Sequence, residues 1–175
     1  DNPLHKSVSD GSWDGEKTSA MPISCFALEV PDSIKGQMEA NVELAALSVA
    51  GGGVGLHNSI RATTDKAPGP IPYMKTMDAI IGYYKQGKTR RGACAYYMDV
   101  SHPDIMEHIK FRIPSGGDSA RKADNRVQFH HAVNITDEFI DAVFNDLDFN
   151  LVCPHTKEVK EVVKARDIWE EILEA

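Results

Sequence analysis

The sequence predicts an α/β fold in which helices flank a largely parallel sheet or part of a barrel. Two observations carry this prediction. Apolar runs that suit strands are followed by a loop and then by apolar residues at helical spacing, and this pattern recurs about four times along the chain. The 175 residues, of which 42% are hydrophobic and 26% charged, are also enough for one domain with a core.

The first repeat begins with a mostly buried strand predicted over Ile23–Val30, "ISCFALEV". The stretch "DSIKGQMEANVELAALSV" predicts the helix that follows. Asp32 or Ser33 can cap that helix, because a short side-chain oxygen accepts an otherwise unpaired backbone N–H. Gly51–Gly55, "GGGVG", is expected to end it. The apolar residues that recur at helical spacing are Ile34, Met38, Val42, Ala45 and Val49.

Three further strands and their helices follow the same logic. The helix "IPYMKTMDAIIGYYKQG" has Pro72 in its first turn and Gly87 at its C-terminal cap. Later helices are predicted for "SHPDIMEHIKF", "TDEFIDAVFND" and "ARDIWEEILEA". Residues 1–21 are polar and rich in Ser, Gly and Asp, which indicates a loop or an extended arm. The later strands are expected over Ala93–Val100, Val127–Ile135 and Phe149–Pro154.

Charge and cysteine content exclude several classes of function. The net charge of −7 does not favour sequence-independent binding of nucleic acid. No apolar stretch approaches the roughly 20 residues of a membrane helix. Cys25, Cys94 and Cys153 are widely spaced, with no CxxC and no zinc-ligand spacing. Free thiols of this kind indicate a reducing cytosol, and no metal site is predicted.

A basic cluster stands out in this acidic chain. The stretch "KQGKTRRGACAYY" is a glycine-flanked loop between a helix and a strand, and guanidinium groups and backbone N–H groups suit phosphates. A solvated basic loop is the alternative. His130 and His131 are adjacent on a predicted strand, so they point to opposite faces and do not suit one metal ion. The cluster consists of Lys85, Lys88, Arg90 and Arg91.

Two other features have both a structural and a chemical interpretation. "GGGVG" is either a flexible helix stop or a place where backbone approaches a ligand closely, because glycine has no Cβ. Cys25, near the start of the first strand, is either a small buried apolar residue or a redox thiol. The residues alone leave both alternatives open.

Several motifs, taken in order, carry a family resemblance. "SCFALEVPDSI", "AGGGVGLHNSIRA", "QGKTRRGACAYY", "HPDI" and "NRVQFHHAVNITDEF" resemble the large catalytic subunit of ribonucleotide reductase. The resemblance covers roughly Ser7 to the C-terminus. That family folds as a ten-stranded α/β barrel built from two half-barrels. The resemblance therefore implies a partial ten-stranded α/β barrel, the first half-barrel, over residues 22–175, with residues 1–21 as a polar N-terminal arm.

The resemblance implies a redox role for Cys25. The family replaces the ribose 2′-OH of a ribonucleotide by hydrogen: a thiyl radical takes the 3′-hydrogen, and a cysteine pair supplies two electrons and becomes a disulfide. Cys25 matches the first cysteine of that pair, and Ser24 matches a substrate-binding neighbour. Gly52 and Gly53 lie where the substrate approaches backbone in the family. Ser7, in "SVSDG", matches a phosphate-contacting Thr more loosely.

The resemblance also implies an effector site for deoxynucleoside triphosphates or ATP. "DSI", which is Asp32, Ser33 and Ile34, matches its ribose-binding motif, and Arg61 in "SIRA" matches its triphosphate-binding arginine. Arg90 matches the arginine that links effector and substrate. After Arg61 the family has a longer loop than "ATTDKAPGP", which leaves open whether effector control is retained.

Partners and cofactors follow from the same resemblance. The radical-bearing cysteine, the second redox cysteine and the radical-transfer tyrosines lie further along in the family, so the chain is expected to be part of a longer or split protein and inactive alone. Its expected partners are the remainder of the catalytic chain, a second copy in a dimer, and a radical-generating small subunit with a metal centre. Cobalamin is the alternative radical source, and no cofactor is expected to bind these residues directly. The function implied is ribonucleoside-diphosphate reduction for DNA synthesis, although a triphosphate substrate stays open.

Two other functions stay open at this stage. One is a nucleotide-binding regulatory module that keeps the effector site without catalysis. The other is a phosphate-binding α/β domain unrelated to reductases, for which Cys25 and Asp32 would be dispensable.

Overall fold

The computed structural model describes residues 23–84, 93–111 and 129–175. The predicted arm, Ser7, Gly87 and the basic cluster with Arg90 lie outside the described residues. In chain order the elements are β1 (Cys25–Val30), α1 (Ile34–Val49), β2 (Gly53–Asn58), α2 (Pro70–Tyr83), β3 (Ala93–Asp99), α3 (Ile105–Lys110), β4 (His130–Asn134), α4 (Asp137–Phe144), β5 (Asp148–Val152), β6 (Val159–Lys164) and α5 (Ala165–Glu174).

A parallel sheet of four strands organises the fold, with the order β1-β2-β3-β4. Each strand pairs in parallel with the next one along the chain, and α1, α2 and α3 lie in the connections between them. Parallel neighbours need such crossovers, which confirms the predicted α/β class. The sheet is open within the described residues and matches part of a barrel rather than a closed one.

No strand was predicted over Gly53–Asn58, where the structure has β2, and that prediction was wrong. Helix α1 does end before the glycines, since Ala50 is its C-cap and Gly51 takes a left-handed φ of 81°. The chain then enters β2 at Gly53 instead of continuing as a loop. Glycine is rare in strands, which hid the signal. Val54 and Leu56 supply the buried face that makes this segment a strand.

The last predicted strand does not extend the parallel sheet. β5 pairs antiparallel with β6 and forms a separate sheet of two strands. β6 was not predicted, because "VKEVVK" lacks the regular apolar/polar alternation of a half-buried strand and is largely exposed. A short turn joins two antiparallel strands, whereas a parallel pair would need a crossover. The fourth expected strand–helix repeat is therefore a hairpin followed by α5.

The two faces of the parallel sheet differ in side-chain size. One face, here called the outer face, is covered by the helices and holds large buried side chains, including Leu56, Tyr96 and Met98. Full burial of a large apolar side chain contributes about 1.5–3 kcal/mol. Alternate residues point to the other, inner face. By register, its small residues are Ala27, Gly53, Gly55, Ala93, Ala95 and Ala132.

Helix α1 exposes the apolar stripe that predicted it. Its buried side is formed by Ala40, Leu44, Leu47 and Ser48. By contrast, Ile34, Met38 and Val42 are 84%, 58% and 48% exposed. The helix is correctly predicted, but these recurring apolar residues face away from the core.

Candidate functional site

Cys25 lies at the N-terminal edge of the inner face. It is the first residue of β1 and is exposed, and its backbone partner across the sheet is Gly53, which is followed in turn by Ala93. Ser24 Oγ lies 3.9 Å from Cys25 Sγ. The alternative of a buried apolar cysteine does not fit this exposure. Small neighbours leave room for a ligand beside the sulfur.

Gly52 and Gly53, both predicted to contact substrate, have different surroundings. A Cβ on Gly52 would meet the ring of Phe26 at 2.9 Å, so close packing alone explains a glycine there. A Cβ on Gly53 would meet only the carbonyl oxygen of Ser24, at 3.6 Å. Gly53 therefore has open space beside Cys25. Contact with substrate stays a prediction for both.

The other two thiols differ from Cys25 in burial and position. Cys94 lies on the outer face, where burial, with a smaller contribution from Asp78, raises the pKa of its thiol to about 12. Cys153 is buried in the turn after β5. Burial raises the pKa of the Cys153 thiol, but hydrogen bonds from the backbone N–H groups of Thr156, Ala62 and His155 and from the Thr156 hydroxyl bring it below its usual value. Neither thiol lies on the inner face beside Cys25.

Asp32 and Arg61, the predicted effector-binding pair, lie in contact at the C-terminal edge of the sheet. Arg61 Nε donates to Asp32 Oδ2 at 2.7 Å, and the Arg61 backbone N–H donates to Asp32 Oδ1 at 3.1 Å. Asp32 follows β1 and Arg61 follows β2, and parallel strands bring these ends together. This arrangement orients the carboxylate, and it leaves the Arg61 side chain about half-exposed.

Helix α1 begins beside this pair. Ser33 is its N-cap, and its Oγ accepts the backbone N–H of Gly36 at 3.1 Å. Ile34 is the first helical residue and is exposed. The first backbone N–H groups of a helix lack intrahelical acceptors and favour anions. The "DSI" residues therefore combine a carboxylate, a helix N-terminus and an apolar side chain.

His155 also contacts Asp32, and no sequence pattern predicted this contact. The residue lies in the turn between β5 and β6, and its Nδ1 is 3.1 Å from Asp32 Oδ2. The contact joins segments far apart in the chain, which local patterns do not report.

A second polar cluster on the inner face was also missed. His57 Nε2 lies 3.1 Å from Asp99 Oδ1, and Asn134 Nδ2 donates to the same oxygen at 3.0 Å. Because a carboxylate only accepts, Nε2 of His57 carries the proton. The three polar residues lie near the C-terminal ends of three neighbouring strands, and this placement is the sequence pattern that could have indicated the cluster. Nearby, Ser59 Oγ donates to Glu29 Oε1 at 2.8 Å.

The short loop after Arg61 is folded against the protein. Thr64 and Ala67 form an isolated bridge, and the Thr63 backbone N–H donates to Asp104 Oδ2 at 2.9 Å. Gly69 ends the loop with a φ of 71°, and a Cβ there would clash with Thr63 Oγ1. The loop is thereby held close to the C-terminal edge of the sheet.

Cys25 and the Asp32–Arg61 pair are separate sites at opposite ends of β1. At about 3.3 Å per residue, the strand between Cys25 and Asp32 separates them by roughly 20 Å. Within the described ranges, no group of three or more His, Cys, Asp or Glu residues could hold a metal ion. The helices of those ranges are all too short or too polar to cross a membrane.

Comparisons with known proteins place the chain among related sequences. Residues 23–175 match the family model described as "Ribonucleotide reductase, barrel domain". The chain is 46% identical over 157 residues to the "Putative ribonucleoside-diphosphate reductase large subunit" of Frog virus 3 (isolate Goorha). The aligned region covers 89% of this chain and 27% of that relative. It is 36% identical over 167 residues to the "Ribonucleoside-diphosphate reductase large subunit" of Invertebrate iridescent virus 6, covering 91% and 17%.

A relative whose name includes a cofactor is about as similar as the relative from Invertebrate iridescent virus 6. The "Vitamin B12-dependent ribonucleoside-diphosphate reductase" of Thermoplasma acidophilum is 35% identical over 161 residues, which is 86% of this chain and 20% of that protein. The chain thus spans between 17% and 27% of the length of these three relatives.

Proposed function

Because the chain belongs to the ribonucleotide reductase barrel-domain family, we propose that it forms the part of a ribonucleoside-diphosphate reductase that carries one redox cysteine and one effector site. Cys25 is the redox cysteine, and Asp32, Ser33, Ile34 and Arg61 bind the effector. Residues 22–175 are the first part of the barrel in this proposal, preceded by residues 1–21 as an arm.

One observation carries the catalytic part of the proposal: Cys25 is exposed on a face of small residues, next to Ser24 and Gly53. A ribose placed there would have its 2′-carbon near the sulfur. In the proposed step, the 2′-hydroxyl is protonated and leaves as water, a hydrogen replaces it, and Cys25 and a second thiol lose two electrons and form a disulfide.

The second thiol of that step is neither Cys94 nor Cys153. Cys94 points to the outer face of the sheet, and Cys153 lies in the hairpin turn beside Ala62, at the opposite end of the sheet from Cys25. Disulfide formation needs Cα atoms within about 7 Å. We therefore assign the partner thiol to a part of the enzyme outside these 175 residues, as we do the radical cysteine.

The effector site rests on the "DSI" geometry. The ribose of a deoxynucleoside triphosphate or ATP would donate a hydroxyl to Asp32, and the triphosphate would lie against Arg61 and the first N–H groups of α1. Ser7 and Arg90 remain predicted substrate contacts that lie outside the described residues.

A second copy of the chain is the proposed partner for α1. Ile34, Met38 and Val42 form an exposed apolar stripe along one side of this helix. A two-fold axis would let the same stripe bury itself against its copy, and apolar surface of this kind marks association sites. The stripe begins beside Asp32, so a dimer formed there would border the effector site.

The radical source is proposed to lie outside these residues. Relatives named as vitamin B12-dependent fit cobalamin as a radical source, whereas the iridescent virus relative is about equally similar and its name mentions no cofactor. A metal-containing small subunit therefore stays the alternative. The proposed compartment is a reducing cytosol, which keeps Cys25 available as a thiol.

A chimera tests the proposal. The aligned segment of the Thermoplasma acidophilum reductase is replaced by residues from this chain, and deoxynucleoside diphosphate is measured with vitamin B12 cofactor and a dithiol. We expect product above that of a chimera with Cys25→Ser, and Cys94→Ser should keep activity because Cys94 is buried elsewhere. A folded chimera that binds nucleotide but yields no product would favour the regulatory module instead.

A further inference from the structure

The turn between β5 and β6 brings a histidine to the proposed effector site. His155 Nδ1 lies 3.1 Å from Asp32 Oδ2, and the Asp32 side chain is only 13% exposed. We propose that His155 is a positioning residue of the effector site, holding Asp32 in the orientation that receives the effector ribose. This inference rests on the proposed effector function of Asp32 and Arg61.

The polar contacts of the Asp32 carboxylate show what His155 contributes to the proposed site. An ionised carboxylate has about four acceptor positions. Oδ2 accepts from Arg61 Nε at 2.7 Å and lies 3.1 Å from His155 Nδ1, while Oδ1 accepts the Arg61 backbone N–H at 3.1 Å. Within the described residues, one acceptor position on Oδ1 is left for a ribose hydroxyl. Nδ1 of His155 attracts this oxygen when it carries a hydrogen, because the carboxylate can only accept.

His155 can hold Asp32 because its own turn is anchored. The backbone N–H of Cys153 donates to the Glu158 carbonyl at 3.0 Å, and that of Lys157 donates to the Cys153 carbonyl at 2.9 Å. The turn also attaches to the parallel sheet, since the Cys153 sulfur accepts the backbone N–H of Ala62, next to Arg61. The histidine is therefore fixed relative to both members of the proposed site.

Loss of His155 would leave Asp32 held from one side. Arg61 would still bind the carboxylate, but the free position on Oδ1 would no longer be fixed towards the ligand. A close N–H contact with a carboxylate, taken at the strength of a hydrogen bond to a charged group, has a net effect on the order of tenfold in an equilibrium constant. We expect about that loss in effector affinity.

Calorimetric titration of dTTP and of dATP into the 175-residue chain tests the inference. His155→Ala should weaken binding about tenfold. His155→Asn should restore most of the affinity, because its amide nitrogen overlays Nδ1, whereas His155→Gln places its nitrogen near Nε2 and should not. His130→Ala, at an exposed histidine on β4, is the matched control and should bind as the original chain does.

The outcomes separate the inference from its premise. Binding of neither nucleotide, or affinity unchanged by Asp32→Ala, would overturn the effector site and the inference with it. If Asp32→Ala weakens binding but His155→Ala does not, the effector site stands and the role of His155 is refuted. Equal weakening by the Ala, Asn and Gln variants, with a matching drop in unfolding temperature, would make His155 merely structural and also refute the inference.

Discussion

Acid should destabilise this fold through His108. The side chain is fully buried, with Nδ1 3.5 Å from Met74 Sδ and Nε2 donating to the Ala132 carbonyl at 3.0 Å. Burial is the main cause that lowers the pKa of His108 from 6.5 to about 4. The hydrogen bond to the Ala132 carbonyl opposes this shift, and the neighbouring His131 and His102 add to it. The ring is therefore neutral in the folded protein at neutral pH.

The sign and size of the effect follow from linkage. The unfolded chain binds a proton at this histidine near pH 6.5, but the folded protein does so only near pH 4. Stability is therefore unaffected above pH 6.5, falls as the pH drops below it, and stops falling from this source below about pH 4. A difference of 6.5 minus 4 pKa units corresponds to about 3 kcal/mol. Burial also lowers the pKa of His102, which adds in the same direction.

Urea unfolding at pH 7.5 and pH 4.5 measures this effect. His108→Gln keeps a nitrogen donor for the Ala132 carbonyl but cannot titrate, so it should lose less stability between the two pH values than the original chain, by about 2–3 kcal/mol. His130→Gln, at an exposed histidine, should behave like the original chain. Equal losses for the original chain and His108→Gln would refute the reasoning.

Three further predictions concern packing, thiol access and association. Gly36→Ala should destabilise the protein by about 1–3 kcal/mol, because the new Cβ would lie 2.8 Å from the Pro31 ring. This cost should exceed the gain from the better helix propensity of alanine. A higher unfolding temperature for this variant would contradict the prediction. Alkylation of the native chain should label Cys25 well before Cys94, as read by peptide mass spectrometry, and labelling of Cys94 first would contradict the assigned faces. Met38→Lys should shift the chain from dimer towards monomer in analytical ultracentrifugation, and an unchanged distribution would remove α1 as the interface.

The fold class was predictable because periodicity is a local property. Apolar runs and helix caps identified β1, α1 and most later elements, and Ser33 caps α1 as expected. The strand β2 was missed because Gly53 and Gly55 weaken the local strand signal, although the sheet accepts them where small inner-face residues are needed. The hairpin of β5 and β6 was missed because its pairing depends on two segments together.

The candidate sites were predictable as motifs but not as geometry. The resemblance pointed to Asp32 and Arg61, and the structure brings them within hydrogen-bonding distance. It did not point to His155, because that contact depends on how the hairpin turn docks on the sheet. The exposure of Ile34 and Met38 could not be predicted either, because the helical spacing of these apolar residues does not determine which side of the helix faces the core.

A single-turnover experiment on the chimera shows whether Cys25 is oxidised when ribonucleotide is reduced. The chimera with the Thermoplasma acidophilum reductase is fully reduced, freed of dithiol, and allowed to turn over once with ribonucleoside diphosphate and vitamin B12 cofactor. The thiols are then alkylated and the peptides are identified by mass spectrometry. We expect Cys25 to become protected in a disulfide in proportion to the deoxynucleotide formed, while Cys94 stays reduced. Deoxynucleotide formed with Cys25 still fully alkylatable would contradict it.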